Sequence, residues 1–381
     1  MKLVVRSLRD IADLHRLVPQ WEELERGLPL KLPFSSPLWL LTWWRHYAQT
    51  RPLLSDALYG YAFFNGGGEL LGLAPLMVTH RPGRGPLRLR QLQLLGADPN
   101  VTELSQVLAH PEHEEMVWQA LQEALANDGG WDFARWWVTA GSGAERALRG
   151  RQCIEWDLDK PAFLLEPGST WEAFKSSRPR NVKESLRKCY NSLSRDGRTF
   201  LFHAHTSSDA VARALDRVFA LHRERARAAD TVAHADVFAT AQARGFIREV
   251  MDRFATRGQA RVFELEIGGE IVAGRMGFVI DDTLYLYYSG YLNDWGRYSV
   301  MTTVTAEAIR HAIDSGLKTV NLSFGNDVSK TRWRPREVTF LGALQTADTL
   351  RAYLGRGAYD VFKNPTATAL TSRLSALFRR H

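Results

Sequence analysis

Residues 287–333 read YYSGYLNDWGRYSVMTTVTAEAIRHAIDSGLKTVNLSFGNDVSKTRW, and this stretch decides the fold of the second half of the chain. Its pattern predicts a strand over 284–291, a helix over 299–315 and a second strand over 318–324. A strand–helix–strand step implies two parallel strands joined by a right-handed crossover. Earlier strands joined by tight turns predict antiparallel neighbours, so the sheet is mixed. Ligands favour the crevice where strand direction changes in such a sheet.

The start of the predicted helix is a candidate anion site. Ser299 is a favourable N-cap residue, and the first amides, about Val300 to Thr302, have no partners inside the helix. The helix dipole adds partial positive charge there, which suits a pyrophosphate, and Arg297 lies beside it in the sequence. The alternative is a capped and hydrated helix end.

Composition sets the broad class of protein. The chain has 381 residues, 45% of them hydrophobic, so it can bury a substantial core, and its length favours two domains. The two cysteines, Cys153 and Cys189, form no disulfide framework and lack metal-ligand spacing, so we expect a reducing, cytoplasmic setting and no metal. We find neither the apolar core of a signal peptide nor a run long enough to span a membrane.

Positive charge is concentrated in two segments of this chain, whose net charge is +7. Residues 175–198 hold eight Lys and Arg against two acidic residues, and residues 351–381 hold six against one. Such segments suit phosphate groups, anionic lipid or nucleic acid, and the alternative is a solvated helix face. The absence of interleaved exposed aromatics and of a known RNA motif argues against nucleic acid. The C-terminal tail has the pattern of a basic amphipathic helix, which rests on anionic lipid or packs on its own domain.

The chain repeats one supersecondary plan. Residues 57–78 and 261–280 each place a Gly-Gly-Glu turn between two apolar strands, which is typical of a hairpin. Residues 120–138 and 306–324 each join an amphipathic helix to a β-rich strand. Because both matches occur in the same order, we predict a duplication. The predicted units are an N-terminal domain, a C-terminal domain and a basic tail, at 1–165, 166–350 and 351–381.

Several motifs, in one order, carry a family resemblance that covers about residues 20–350. They include WEELERGLPLKLPFSSPLWLLTWWRHYA (21–48), FKSSRPRNVKESLRKCYNSLSRDG (174–197), LHRERAR (221–227), YYSGYLNDWGRYSV (287–300) and NLSFGNDVSKTRW (321–333). In this order the motifs resemble those of GNAT-superfamily acyltransferases of the CelD/BcsL type, which are similar to the two-domain FemAB aminoacyltransferases. The resemblance implies an α/β (α+β) fold of two tandem GNAT-like domains, with mixed sheets flanked by helices.

The resemblance also implies acyl-CoA as the co-substrate and no metal. The pantetheine arm would pair along the strand at 284–291, and the pyrophosphate would lie at the next helix. The residues implied for the donor are Tyr288, Ser289, Gly290, Arg297, Ser299, Val300, Met301 and Thr302. The family's Pro-Gly is replaced here by Val300-Met301, its strand Asp by Asn321 and the Tyr before its Lys by Ser329. The first half carries the acidic run AHPEHEEM (109–116) before its helix, so we expect the donor in the C-terminal domain.

In the family an acceptor amine attacks the thioester directly, so the site needs a base, donors to the carbonyl and an acid for the thiolate. His222 matches the family's His and is our first candidate for the base, with a structural histidine as the alternative. Asp327 would orient or deprotonate the amine, and Lys330 would bind an anion or stabilise the oxyanion, unless the two form a loop ion pair. Tyr298 would protonate the thiolate, or else belong to the core. The residues implied for the acceptor are Arg178, Arg180, Asn181, Arg225, Gly325 and Trp333.

These features together predict an acyl-CoA-dependent N-acyltransferase that acts on the amine of a cell-envelope acceptor. We favour a lipid long-chain (sphingoid) base, as in bacterial ceramide synthesis, because the altered helix turn and the basic tail suit a lipid. The alternatives are an amino sugar of a surface polysaccharide, and a non-catalytic GNAT-like scaffold in polysaccharide synthesis. We expect a cytoplasmic protein that makes peripheral contact with the anionic inner membrane.

Overall fold

The computed structural model describes residues 2–52, 54–82, 88–98, 100–227 and 235–355. The strands in these ranges are β1 (Val4–Leu8), β2 (Thr50–Arg51), β3 (Leu54–Leu58), β4 (Gly60–Phe64), β5 (Leu70–Ala74), β6 (Leu76–Pro82), β7 (Arg88–Leu94), β8 (Leu108–Ala109), β9 (Phe133–Thr139), β10 (Ile154–Leu165), β11 (Phe200–His205), β12 (Ala260–Ile267), β13 (Glu270–Ile280), β14 (Thr283–Tyr291), β15 (Thr319–Phe324) and β16 (Arg336–Thr346). The helices are α1 (Ile11–Arg26), α2 (Pro37–Tyr47), α3 (Glu114–Asp128), α4 (Gly143–Leu148), α5 (Trp171–Ser177), α6 (Arg180–Arg195), α7 (Ser208–Arg227), α8 (Ala241–Thr256), α9 (Val300–Asp314) and α10 (Val328–Thr331).

Two sheets form the framework of the molecule. The larger has the strand order β11-β12-β13-β14-β15-β10-β16-β9-β7-β6-β3-β2, and the smaller has the order β1-β4-β5-β8. The predicted antiparallel run β12–β13–β14 is confirmed, and so is the parallel pair β14–β15 joined through α9. The fold is therefore the predicted α/β class with mixed sheets flanked by helices.

The two halves repeat the same order of elements, which confirms the predicted duplication. In the first half the order is β1, α1, α2, the β4–β5 hairpin, β7, α3 and β9. In the second half it is β11, α7, α8, the β12–β13 hairpin, β14, α9 and β15. The two hairpins occupy equivalent places, because β1 pairs with β4 and β11 pairs with β12, antiparallel in both cases. β15 is parallel to β14, and in the same way β9 is parallel to β7, although the short strand β8 lies between β7 and α3 in the sequence.

The halves exchange their last strands. β10 pairs with β15 of the second half, β16 pairs with β9 of the first half, and β10 and β16 pair with each other over most of their length. This exchange joins both halves into one twelve-stranded sheet. The boundaries at 1–165 and 166–350 stay a prediction, and any cut near residue 165 leaves β10 paired in the other half's sheet.

A shared aromatic core holds the halves together. The ring of Trp39 on α2 lies 5.2 Å from that of Phe246 on α8 and 5.9 Å from that of Phe278 on β13, measured between ring centroids. Phe34 contacts Tyr285 of β14 edge to face at 5.2 Å. All these side chains are buried. The cleft between the halves therefore has a packed floor.

Two predictions concern membranes. In the described part of the chain, no helix combines the length and the apolar character that crossing a bilayer requires. The predicted amphipathic tail begins in the described residues, where 350–355 are helical. Its remainder, 356–381, lies outside the described residues.

Candidate active site

The site begins where β14 and β15 separate. The two strands pair only over Thr283–Tyr285 and Thr319–Asn321, although β14 continues to Tyr291 and β15 to Phe324. Beyond these residues the carboxyl ends of β14 and β15 are not paired with each other, and the gap between them lies beside the start of α9. A cavity of about 340 Å³ lies in this opening, with Tyr291 on one wall and Leu322 on the other.

The first turn of α9 lines this first cavity through the predicted residues Ser299, Val300, Met301 and Thr302. Ser299 is the N-cap as predicted, but the prediction that its side chain caps the helix is wrong. Its backbone is left-handed, with φ 55°, rather than extended, and its carbonyl accepts the N–H of Thr302 at 2.8 Å instead. The N–H groups of Val300 and Met301 have no acceptor among the described residues. The turn therefore offers free amides and a helix dipole to an anion.

Arg332, which the sequence did not single out, supplies a cation beside this turn. It lines the first cavity and donates to the Thr302 hydroxyl at 3.3 Å. The predicted Arg297 instead lies over the ring of Tyr298, 4.8 Å from its centroid, and does not line either cavity. Tyr298 is buried in the core, and its hydroxyl donates to Asp196 at 2.7 Å. Neither Arg297 nor Tyr298 therefore lines the opening between β14 and β15.

A second, larger cavity of about 820 Å³ occupies the cleft between the halves. The first half contributes residues 97–98, 100 and 102–105 and the side chains of Trp137 and Lys160, and the second half contributes residues of α7, β14 and the end of β15. The two cavities meet, because both are lined by the same five residues: Arg225, Arg275, Asp327, Ser329 and Lys330. We call this junction the seam. A donor in the first cavity and an acceptor in the second would meet there.

His222 lies on α7 and lines the second cavity with its imidazole buried. Its Nδ1 donates to the Ser289 carbonyl at 3.0 Å, which leaves Nε2 as the acceptor nitrogen of the neutral ring. Burial lowers the pKa of His222, against the opposing effect of the Ser289 hydrogen bond. The ring is therefore neutral near pH 7. Tyr288 packs against it edge to face, with centroids 5.4 Å apart.

Glu103 is a functional candidate that sequence reasoning missed. Glu103 projects from the first half into the second cavity. It is half-buried, and part of its surface faces the cleft. Its carboxylate accepts the hydroxyl of Tyr285, and burial raises its pKa against the opposing effects of that hydrogen bond and of Lys330 and Lys160. A carboxyl group in a cleft with a raised pKa is the usual form of a general base that works near neutral pH.

The loop after β15 places Asp327 and Lys330 at the seam. Asp327 is the N-cap of α10 and accepts the Ser329 N–H at 2.7 Å. Burial raises its pKa, but the hydrogen bonds from Ser329 outweigh this and leave the pKa below its usual value. Lys330 donates to the carbonyl of Phe324, and burial lowers its pKa. The predicted loop ion pair is absent, since no carboxylate of the described residues lies within 4 Å of the Lys330 ammonium.

The remaining predicted residues divide into two groups. Tyr288, Ser289, Arg225 and Gly325 line the second cavity, and Trp333 lines the first. Four others line neither cavity: Gly290, Arg178, Arg180 and Asn181. A Cβ at Gly290 would come 2.2 Å from the backbone nitrogen of His222, so this glycine lets α7 pack closely on β14. Arg178 donates to the Trp333 carbonyl at 2.6 Å, while Arg180 and Asn181 are exposed on α6.

A group that could ligate a metal lies elsewhere. His110, Glu112 and His113, at the start of α3, have ligand atoms within 4.8 Å of one another. None of the three lines either cavity.

Comparisons with known proteins agree with this geometry. Residues 180–331, which contain α9 and its neighbouring strands, match the family model described as acetyltransferase (GNAT) domain. Among curated proteins, no sequence matches the chain. Residues 180–331 are therefore similar to a GNAT acetyltransferase domain.

Three solved structures are similar to most of this chain, and FemX has the highest TM-score of the three. The crystal structure of FemX superposes with a TM-score of 0.57 at 9% identity, covering 90% of this chain and 97% of FemX. The C-terminal domain of a putative lysylphosphatidylglycerol synthetase from Agrobacterium fabrum gives a TM-score of 0.49 at 13% identity, covering 91% and 96%. A tandem GNAT protein from the clavulanic acid biosynthesis pathway gives 0.43 at 12%, covering 91% and 99%. The likeness to FemX shows a shared fold that extends over 90% of this chain.

Proposed function

We propose that this protein transfers an acyl group from acyl-CoA to the amine of a polar cell-envelope acceptor. One observation carries the proposal: the opening between β14 and β15 meets the free amides of α9 at one end and the inter-domain cleft at the other. The pyrophosphate would bind the first turn of α9 beside Arg332, and the pantetheine arm would follow β14 toward the seam. The thioester would then face the acceptor in the second cavity.

The chemistry is a direct displacement on the thioester. The amine nitrogen attacks the carbonyl carbon, a C–N bond forms, and the C–S bond breaks as the tetrahedral adduct collapses. The ammonium gives up a proton to a base, and the CoA thiolate leaves and is protonated. We assign the base to Glu103, because its raised pKa lets the ionised carboxylate accept a proton near neutral pH. His222, the base favoured by the sequence, stays the second candidate through its neutral Nε2.

The lining of the second cavity favours a polar acceptor. Eight charged side chains line it: Asp98, Glu103, Arg135, Lys160, Arg225, Arg275, Asp327 and Lys330. Burying the alkyl chain of a sphingoid base among these groups would leave charges desolvated against hydrocarbon. The rings of Trp137 and Tyr288 add flat apolar faces, which suit a sugar. Of the acceptors predicted from the sequence, we therefore propose the amino sugar of a surface polysaccharide.

The test is incubation of the purified protein with acetyl-, palmitoyl- and hydroxyacyl-CoA, each with a panel of amino sugars and long-chain bases, followed by mass spectrometry. We expect an N-acylated amino sugar and free CoA, with product formation lost in Glu103→Gln. Acylation of long-chain bases alone would overturn the proposed acceptor. Absence of both CoA binding and product would favour the non-catalytic scaffold.

A further inference from the structure

Arg275 is a half-buried cation that makes no direct ion pair with a carboxylate of the described residues. It lies on β13 and lines both cavities. Its guanidinium donates to the Ser289 hydroxyl at 3.3 Å, while its Nε has no partner among the described residues. None of the carboxylates that the structure describes lies within 4 Å of it. Removing part of a charge from water without a direct ion pair is costly, and a bound anion would offset that cost.

Two further cations converge on the same point. Arg225 donates to the same Ser289 hydroxyl at 3.4 Å, and Lys330 lines the seam beside it. The positive charges are close enough to interact, since Arg225 and Arg275 lower the pKa of neighbouring cations. The facing anions are Asp327 and Glu103, and Glu103 has a raised pKa. The seam therefore carries an excess of positive charge.

We propose that the seam binds an oxyanion, a carboxylate or phosphate group, that one of the two substrates carries in addition to its reacting group. This inference rests on the proposed function. Arg275 is the central ligand because a guanidinium binds such groups through two parallel N–H···O bonds. Arg225 and Lys330 supply the remaining charge. The anion belongs to the acyl group, as in a dicarboxylic acyl-CoA, or to the acceptor, as in a phosphorylated or carboxylated amino sugar.

The donor arm of the test compares succinyl-CoA with butyryl-CoA, which have acyl chains of equal length and differ in one terminal carboxylate. Calorimetric titration without an acceptor gives the affinities. If the acyl group carries the anion, succinyl-CoA binds the wild type at least tenfold more tightly. Arg275→Met then abolishes the difference between the two donors. Arg275→Lys, which keeps the charge in the same space, retains part of the preference and guards against misfolding of the Met variant.

The acceptor arm compares glucosamine with glucosamine 6-phosphate, titrated into protein saturated with CoA. If the acceptor carries the anion, the phosphorylated sugar binds at least tenfold more tightly, and Arg275→Met removes the preference. Arg261→Met is the matched control, because Arg261 lies on the neighbouring strand β12, is half-buried and lines neither cavity. Absence of any preference in both arms, with CoA still bound, overturns this inference alone. Absence of CoA binding overturns the proposed function as well.

Discussion

Two carboxylates at the active site have opposite electrostatic environments, and this difference separates their roles. Glu103 faces the cleft with a pKa raised by burial, whereas Asp327 is held below its usual pKa by the N–H and hydroxyl of Ser329. A base must hold the proton it removes, so the more basic Glu103 suits proton transfer. Asp327 stays ionised and suits orientation of the ammonium or of Arg225.

We expect Glu103→Gln to lower kcat by about 10²-fold or more, the usual contribution of a general base, with the KM for acyl-CoA nearly unchanged. In the wild type, kcat/KM rises with pH as Glu103 ionises. The midpoint of this rise lies above 4.5, the ordinary pKa of the carboxyl group, because burial raises the pKa of Glu103. Glu103→Gln does not show this rise. A pH–rate profile of both proteins provides the check. If His222→Gln abolishes activity and Glu103→Gln does not, the base is His222.

Glu25 gives a pH-dependent stability that is independent of catalysis. Burial, aided by Glu22 and Asp281, raises its pKa from 4.5 to about 8. The fold thus favours the protonated carboxyl, so this contribution to stability is complete below pH 4.5 and is lost as the pH rises through about 8. Between about pH 6 and about pH 9, the wild type should lose on the order of 3 kcal/mol more of its unfolding free energy than Glu25→Gln.

Urea denaturation at the two pH values measures this loss. Glu123→Gln, an exposed position on α3, is the control and should follow the wild type. Parallel pH curves for wild type and Glu25→Gln would show that Glu25 is ionised in the folded protein.

The sequence located part of the site and missed the rest for a physical reason. Local motifs contain His222, Asp327, Lys330 and the first turn of α9. Such a motif predicts where a residue lies along its own strand or helix. Glu103 and Arg275 carry no such motif. Glu103 reaches the cleft only because the halves pack together, and Arg275 is an isolated charge within a strand that is otherwise apolar after Glu270. Tyr298 lies just before the first turn of α9 in the sequence, but its ring is buried in the hydrophobic core.

At the level of elements, α6 divides into an apolar face and a basic face. Val182, Leu186, Cys189 and Leu193 are buried, while Lys183 and Arg187 are exposed one turn apart. The two cations border a groove of about 500 Å³ with Trp171, Tyr190 and Phe200 in its lining. Cations beside aromatic rings are suited to the interface of an anionic membrane. We therefore propose α6 as the element of peripheral contact.

Reversing both charges, in Lys183→Glu with Arg187→Glu, should weaken binding to phosphatidylglycerol vesicles at least tenfold, since each surface cation contributes about 1 kcal/mol. Turnover of a soluble amine should stay unchanged, because neither residue lines the first or second cavity. Vesicle flotation and a soluble assay measure the two effects. The matched control reverses Arg16 and Arg26, two exposed cations on α1. Equal loss in both double variants, or no loss in either, would refute a membrane role for α6.

For the whole molecule, the repeated plan was visible in the sequence and the strand exchange was not. Hairpin turns and helix ends are local signals, so the duplication could be predicted from two pairs of matching segments. The pairing of β10 with β15 and of β16 with β9 joins residues that are far apart in the chain, and nothing in either strand's own pattern specifies its neighbour. The exchange fixes the halves across the cleft, which lets Glu103 of one half serve a donor bound to the other.

The duplication also produces an asymmetry that decides which half binds the donor. The first turn of α9 contains no acidic residue, whereas α3, its counterpart, begins with Glu114 and Glu115. Negative charge at a helix start stabilises the helix but repels a phosphate. The central claim is therefore that acyl-CoA binds the second half alone, at α9.

Calorimetric titration of CoA and acetyl-CoA into three proteins tests this claim most directly. Thr302→Glu places a carboxylate at the third position of α9, and Met116→Glu places one at the third position of α3, so each variant keeps a favourable helix start. We predict one CoA per chain in the wild type and in Met116→Glu, and affinity reduced at least tenfold in Thr302→Glu. Undiminished binding in Thr302→Glu, or loss of binding only in Met116→Glu, would contradict the account.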